Sequence, residues 1–422
     1  MNTMSKLWLA GVSALAAALW GGTGGAAPIR ASPDQQLWAA AKAALPEQMS
    51  LWEQLVDIDS GTGDVDGGRR VAAVLIPRLK ALGAEVETLP AEAAGLPENI
   101  VAAFTGTGSA RILIIAHIDT VFGPGTAARE PFRVEGDVLR GPGVGDEKGG
   151  VVEAVMALKL LHDQGFKGYR KLTLLLETSE ERGSPGTRTL INRLVREYDV
   201  ELNMEPGDPP DGVTVWRKGS STFHIVVRGR AAHAGVAPQE GRNAAVELIH
   251  QLKAVEVMPH SGEGITANLT TLKAGSRDNI IPDYAEAGVN VRTRKAGDLE
   301  MVESALKAAA AVTEVPDTTV TVSRDSAYPP LPDNPATNAL ARRAQAIYAE
   351  TGRTLNFGGN GGASESAMAA AAGTPALDGL GPVGGGFHSD KEFVDLTTVT
   401  PRLYLLARMI MDLSAHPPKA VP

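Results

Sequence analysis

Three strand-like runs, at 112–116, 172–176 and 200–204, each deliver a histidine or a carboxylate within five residues of their end: His117, the pair Glu180-Glu181, and Glu205. The first two runs are almost wholly apolar, as strands buried on both faces of a helix-covered parallel sheet must be. Sheets of that kind gather their ligands beyond the carboxyl ends of the strands. One pattern thus constrains fold and site together: an α/β protein with a mostly parallel sheet and a cluster of ligating side chains along one edge.

Helical spacing of Leu37, Ala41, Leu45, Leu51, Leu55 and Ile58 predicts a helix over 34–60, broken by glycines at 61–63 and 67–68. A second helix is expected over 70–82, a strand over 84–88 and an apolar helix over 151–161. Near Trp216 the texture changes. An alternating strand over 222–228, a helix over 243–255, strands over 267–272 and 285–292, a helix over 299–312 and a strand over 318–323 read as an α+β unit. Tyr328-Pro329-Pro330-Leu331-Pro332 reads as the linker back, and His388 lies beyond it. The expected organisation is a catalytic domain in two parts, 33–215 and 328–422, with a smaller domain inserted over 216–327.

The first 27 residues stand apart. Lys6, an apolar stretch over 7–20 and small residues up to Ala26-Ala27 have the layout of a signal peptide, so the mature chain is expected in the periplasm or outside the cell, free of the membrane. The formal net charge of -9, with no run of Lys and Arg, speaks against a nucleic-acid partner. The absence of cysteine excludes disulfides, thiolate ligands and a cysteine nucleophile. No Gly-x-Ser-x-Gly or Gly-x-x-x-x-Gly-Lys-Ser/Thr pattern occurs.

What remains is imidazole and carboxylate, the donor mix of a catalytic zinc site. In His117-Ile118-Asp119 the spacing puts both side chains on one face of a strand end, so Asp119 can orient the His117 ring. Asp146 and Glu147 sit among five glycines in Gly141-Pro142-Gly143-Val144-Gly145-Asp146-Glu147-Lys148-Gly149-Gly150, where Asp146 is either a metal ligand or a helix N-cap. Adjacent Glu180 and Glu181 repel unless a cation lies between them, and a pair like this can divide into one ligand and one proton acceptor. His388 sits in a glycine-rich loop able to fold over a site. Metal-assisted hydrolysis is the reaction class these residues imply.

In order along the chain, Ala116-His117-Ile118-Asp119-Thr120-Val121, Pro131-Phe132-Arg133-Val134-Glu135-Gly136-Asp137 and Phe387-His388-Ser389-Asp390-Lys391 resemble the co-catalytic zinc family of aminoacylases, di- and tripeptidases and glutamate carboxypeptidases. Within it the chain is most similar to bacterial glutamate carboxypeptidases of the carboxypeptidase G type. The resemblance implies two zinc ions per chain: His117 and Glu205 on one, Glu181 and His388 on the other, and Asp146 bridging. It implies Glu180 as general base and Asp119 as the partner of His117. It further implies that the inserted domain pairs with a second copy, so that His233 of Ala231-Ala232-His233-Ala234-Gly235 reaches the partner subunit's site. Asn279 and Arg292 are implied to bind the substrate's terminal carboxylate, with Ser364 standing for a threonine hydroxyl in the substrate loop.

Two departures from that family's pattern stand out. Glu147 and Glu365 occupy positions where aspartate is usual, and neither is expected to touch an assigned ligand. The stretch over 206–212 offers no lysine for a glutamate side chain, and Ser326 stands where glutamate-selective relatives can carry arginine. The expected activity is release of a C-terminal amino acid, glutamate first, from N-acyl or peptidyl substrates such as folates. An aminoacylase or dipeptidase, a two-metal phosphoesterase, and a non-catalytic homologue are the alternatives.

Overall fold

The computed structural model describes residues 32–325 and 328–418. The signal segment over 1–27 and Ser326 lie outside the described residues.

The main sheet has six strands in the order Glu85–Leu89, Asn99–Thr105, Lys171–Glu177, Arg111–His117, Val200–Asn203, Ala376–Leu377. The first two pairings are antiparallel, and the last three are parallel. Strand Asn99–Thr105 was not expected from the sequence. It joins the edge of the sheet to Lys171–Glu177, which makes this half antiparallel.

Alternation along the central strand divides the interior. Ile112, Ile114 and Ala116 enter the large core with Leu172, Leu174 and Leu176, under the helices Gln35–Ala43, Leu45–Val56, Lys148–Asp163 and Leu396–Ala415. Leu113, Ile115 and Leu175 face the other way, onto Leu190, Ile191, Leu194 and Met368. Each fully buried aliphatic side chain contributes roughly 1.5–3 kcal/mol, so the strand that carries His117 is fixed from both faces.

Two helix expectations are corrected. The helix expected over 34–60 is two helices, meeting at Ala44, because Pro46 lacks an N–H and starts a new first turn. Gly67 and Gly68, expected as breakers, lie inside the helix Val65–Ala81. Close approach explains them: a Cβ on Gly67 would meet the Asp59 carbonyl oxygen at 2.1 Å, and one on Gly68 would meet Pro97 at 2.5 Å.

A second, four-stranded antiparallel sheet follows in the order Thr266–Ala274, Tyr284–Thr293, Gly219–Arg228, Thr319–Arg324. Its apolar face, with Phe223, Ile225, Val227, Val289 and Val291, is covered by helices Ala244–Glu256 and Asp298–Ala310 and forms a core of its own. The alternating residues Ser220, Thr222, Asn290 and Arg292 point away from that core and line a cleft against the main sheet. Period-two alternation makes one face of this sheet structural and leaves the other for ligands. Among the described residues no helix is long and apolar enough to cross a membrane.

Candidate metal centre

Parallel pairing brings three strand ends to one edge. Arg111–His117 lies between Lys171–Glu177 and Val200–Asn203, so His117, Glu180-Glu181 and Glu205 emerge side by side. The glycine-rich loop supplies Asp146 from opposite. Its backbone is held by the buried Glu392 carboxylate, which accepts N–H bonds from Gly143 at 3.2 Å, Gly145 at 2.8 Å and Asp146 at 3.0 Å. Burial pushes the Glu392 carboxyl up to about 7, against the pull of those N–H donors. Asp146 does not cap the following helix; its side chain is aimed at the cluster instead.

Asp146 divides its oxygens. Oδ1 lies 3.2 Å from His117 Nε2, and Oδ2 lies 3.2 Å from His388 Nε2. His117 Nε2 is also 3.6 Å from Glu205 Oε1, and His388 Nε2 is 3.1 Å from Glu181 Oε2. Two histidine–glutamate pairs thus share one aspartate. Donor atoms of His117, Asp146 and Glu181 lie within 4.8 Å of one another, as do those of His117, Glu147 and Glu205.

Buried oxygens of Glu181 and Glu147 find no hydrogen-bond partner among the described residues, an unmet demand that a cation satisfies. The donor set, nitrogen and carboxylate oxygen, suits zinc. The residues therefore fit a metal.

The charge pattern agrees. Burial would lower the His117 pKa, yet Asp119, Asp146 and Glu205 hold it well above the ordinary value. His388 is pushed up to about 10 by Asp146 and Glu181. Burial opposes ionisation of Asp146, but the two histidines win and hold its carboxyl below the usual range. Burial raises Glu181, and raises Glu205 to about 7 despite Arg217. So much clustered carboxylate is costly without positive charge between the groups.

Asp119 holds more than His117. Its carbonyl oxygen is 3.0 Å from His117 Nδ1, with Oδ1 at 3.4 Å. The same carboxylate accepts the backbone N–H of Glu180 at 3.1 Å and of Glu181 at 3.4 Å, and the Thr62 hydroxyl at 2.6 Å. One residue therefore holds both the His117 ring, chiefly through its carbonyl, and, through its carboxylate, the backbone of the Glu180-Glu181 turn. Burial, followed by the nearby Glu365 charge, raises the Glu180 carboxyl well above its usual range.

A cleft of about 600 Å³ opens over these groups, lined by Glu180, Arg182, Asn290, Arg292, Asn360 and His388 among others. Arg292 is half-buried and donates to Asn290 Oδ1 at 2.9 Å. His233 and Asn279 stand together but elsewhere. Strands Ala232–His233 and Ile280–Ile281 pair, Ala234 N–H donates to the Asn279 carbonyl at 2.9 Å, and both side chains are exposed, outside this cleft. Ser364 is turned away from the cleft: it is fully buried, and its hydroxyl donates to Asp378. The expectation that Glu147 touches no ligand is also corrected, since its Oε2 accepts the His117 N–H at 2.8 Å. The longer side chain spans from the loop to the strand end.

Residues 113–412 match Peptidase family M20/M25/M40. The chain belongs to that family. Carboxypeptidase G2 of Pseudomonas sp. (strain RS-16) is 35% identical over 385 residues, covering 90% of this chain and 93% of that one. Among solved structures, a tripeptidase from Staphylococcus aureus has a TM-score of 0.72 at 21% identity, covering 88% of this chain and 99% of that one. An M20 metallo-carboxypeptidase from Sulfolobus solfataricus has a TM-score of 0.69 at 15% identity, covering 90% and 99%. This M20 protein is therefore a metal-dependent peptidase, and its fold is the family's.

Sequence reasoning missed three residues of this M20 site. Arg217, buried, donates to Glu205 Oε2 at 3.1 Å and clamps Asp378 through Nε and Nη2 at 2.5 and 2.9 Å. Glu392 holds the Asp146 loop, and its place four residues after His388 was the one available signal. Asn360 lines the cleft from a segment with no local signature.

Proposed function

We propose that this M20 enzyme is a carboxypeptidase that hydrolyses the amide bond next to a free carboxylate, releasing a C-terminal amino acid from N-acyl or peptidyl substrates. Glutamate is the first candidate, with folates among the substrates, in keeping with the likeness to carboxypeptidase G2. The observation that carries the reading is Asp146 facing His117 with one oxygen and His388 with the other, beneath a cleft that also holds Glu180 and Arg292. Two zinc ions are the proposed cofactors, one held by His117, Glu205 and Asp146, the other by His388, Glu181 and Asp146. Zinc bound there supplies Lewis acidity, polarising the scissile carbonyl and acidifying water.

The chain's own residues do the rest. Glu180, whose carboxyl the site holds at a raised pKa, takes a proton from the attacking water and passes it to the leaving nitrogen as the C–N bond breaks. Arg292 receives the terminal carboxylate, with Asn290 fixing the guanidinium from the side. We further propose that residues 216–327 form an inserted domain through which two copies pair. Pairing brings His233 and Asn279 to the partner's site, which accounts for their exposure here. The leader over 1–27 supports export as part of this proposal.

The test is metal content and turnover together. Mature protein, metal-free and zinc-reconstituted, is assayed on N-acyl amino acids, dipeptides and a folate. Two zinc per chain with zinc-dependent release of one amino acid is the expected result. A requirement for a free α-amino group, as a dipeptidase has, or faster cleavage of substrates lacking the terminal carboxylate would sink the carboxypeptidase reading.

A further inference from the structure

Tyr328 stands where the chain crosses back from the second sheet. Its backbone exchanges hydrogen bonds with Ser220, at 3.0 and 3.1 Å, and Leu331 pairs with Arg217 beside it. Ser220 in turn is the register partner of Arg292. The crossing therefore fixes where the cleft-lining face of the second sheet sits.

The tyrosine side chain runs the other way, into the cluster of Leu113, Ile115 and Leu175 on the far face of the main sheet. Its hydroxyl contacts Ser184 Oγ and donates to Glu365 Oε1 at 3.1 Å. Ser184 is fully buried and closes the turn that holds Glu180 and Glu181: its N–H donates to the Ser179 carbonyl at 2.9 Å, and its hydroxyl to Glu177 at 2.8 Å. Glu365 accepts from Asn203 Nδ2 at 2.9 Å, and Asn203 Oδ1 accepts the N–H of Glu205 at 2.9 Å. The Arg188 guanidinium lies 5.0 Å from the Tyr328 ring and donates to the Gly183 carbonyl, at the end of the same turn.

One phenol thus meets two arms of the site. Through Ser184 it reaches the Glu180-Glu181 turn, and through Glu365 and Asn203 it reaches the backbone of Glu205. A merely apolar role would need the ring alone, yet the hydroxyl is buried among a serine and two carboxylates that all require partners. The length of Glu365 matters as well, because one carboxylate spans from Asn203 to Tyr328.

We infer that Tyr328 is a positioning residue that couples the seating of the second sheet, and with it Arg292, to the turn carrying Glu180 and to Glu205. It touches neither substrate nor reacting atoms and acts through Ser184 and Glu365. The activity readout rests on the carboxypeptidase reading above, and the exchange readout does not.

Full-length Tyr328→Phe, Ser184→Ala and their double variant are compared with the parent by hydrogen exchange and by steady-state kinetics on the best N-acyl amino acid. Exchange in segment 178–187 rises about tenfold in each, and in segment 203–207 about tenfold in Tyr328→Phe and in the double variant, which lose the Glu365 bond; kcat falls about tenfold while KM stays within about threefold, a loss on the scale of one net hydrogen bond. The two substitutions share the Tyr328–Ser184 contact, while each also removes one bond of its own, to Glu365 or to Glu177, so the double variant falls by less than the product of the two single effects. Tyr348→Phe, which cuts a buried bond from helix Pro335–Ala349 to Asp211, serves as control and leaves exchange at 178–187 unchanged. If Tyr328→Phe does not fold, Ser184→Ala carries the test. Unchanged exchange at 178–187 in the variants overturns the coupling, and so does a rise spread evenly along the chain. A parent that hydrolyses nothing, while Tyr328→Phe loosens 178–187 alone, overturns the carboxypeptidase reading and leaves the coupling standing.

Discussion

Arg217 donates to one oxygen of Glu205 at 3.1 Å while the other oxygen of Glu205 lies 3.6 Å from His117. A carboxylate with one oxygen spoken for has one direction left, so the arginine aims Glu205 at His117.

Replacing Arg217 with methionine removes that aim and leaves Asp378 buried without its bidentate partner. Stability should fall by ~3–5 kcal/mol, and zinc affinity by roughly 10–100-fold. Denaturation and metal titration of one preparation measure both. Unaltered affinity in a folded variant would show that Glu205 needs no orientation.

Glu180→Gln keeps the shape of the side chain and removes its basicity. Turnover should drop by ~10²–10⁴-fold, with metal content equal to the parent's. A variant that hydrolyses at the parental rate would move the base elsewhere.

Arg292→Ala should raise KM by roughly 10–100-fold for substrates with a free terminal carboxylate, the loss of a charge-assisted pair of ~1.5–3 kcal/mol. On the corresponding amide the variant and the parent should be equally slow. Equal KM on the free acid would remove Arg292 from the carboxylate site.

Mixing His233→Ala with Glu180→Gln tests the proposed dimer. If His233 serves the neighbouring subunit's site, each mixed pair owns one intact site, and an equal mixture after exchange regains about a quarter of parental activity. A mixture as inactive as its components places His233 in its own chain's chemistry or nowhere.

Metal binding should release protons at neutral pH. Contacts with Asp146 and Glu181 push His388 up to about 10 from 6.5, so its ring is charged in the metal-free chain at pH 7. A ligating imidazole must be neutral. Calorimetry in buffers of differing ionisation enthalpy reads the released protons, and none released would contradict His388 as a ligand. The sign for stability is opposite to the carboxylate case. With the folded pKa raised, the pairing of His388 stabilises the metal-free fold fully below about 6.5 and is lost as pH rises through about 10.

The strand ends were legible because buried parallel strands are written as contiguous apolar runs, and the residues just beyond them have few places to go. The same logic failed where partners are distant in sequence. Glu392 meets Gly145 across 247 positions, and Arg217 meets Asp378 across 161. Nothing local to either residue states the contact. Ser364 misled because a hydroxyl beside a cleft can turn either way, and the buried Asp378 offered the stronger acceptor. Gly67 and Gly68 misled for a similar reason: they read as breakers, whereas packing against Asp59 and Pro97 put them inside a helix.

Asp146 gives one oxygen to each histidine–glutamate pair, so under the proposed two-zinc occupancy the two halves of the centre cannot be loaded independently. A cation settling on either side changes the charge and the freedom of a donor the other side also needs. Occupancy of the first position must alter affinity at the second, and by thermodynamic reciprocity the second must alter the first by the same factor. The binding isotherm of this chain should accordingly require a coupling constant, and any substitution at residue 146 should shift both affinities at once.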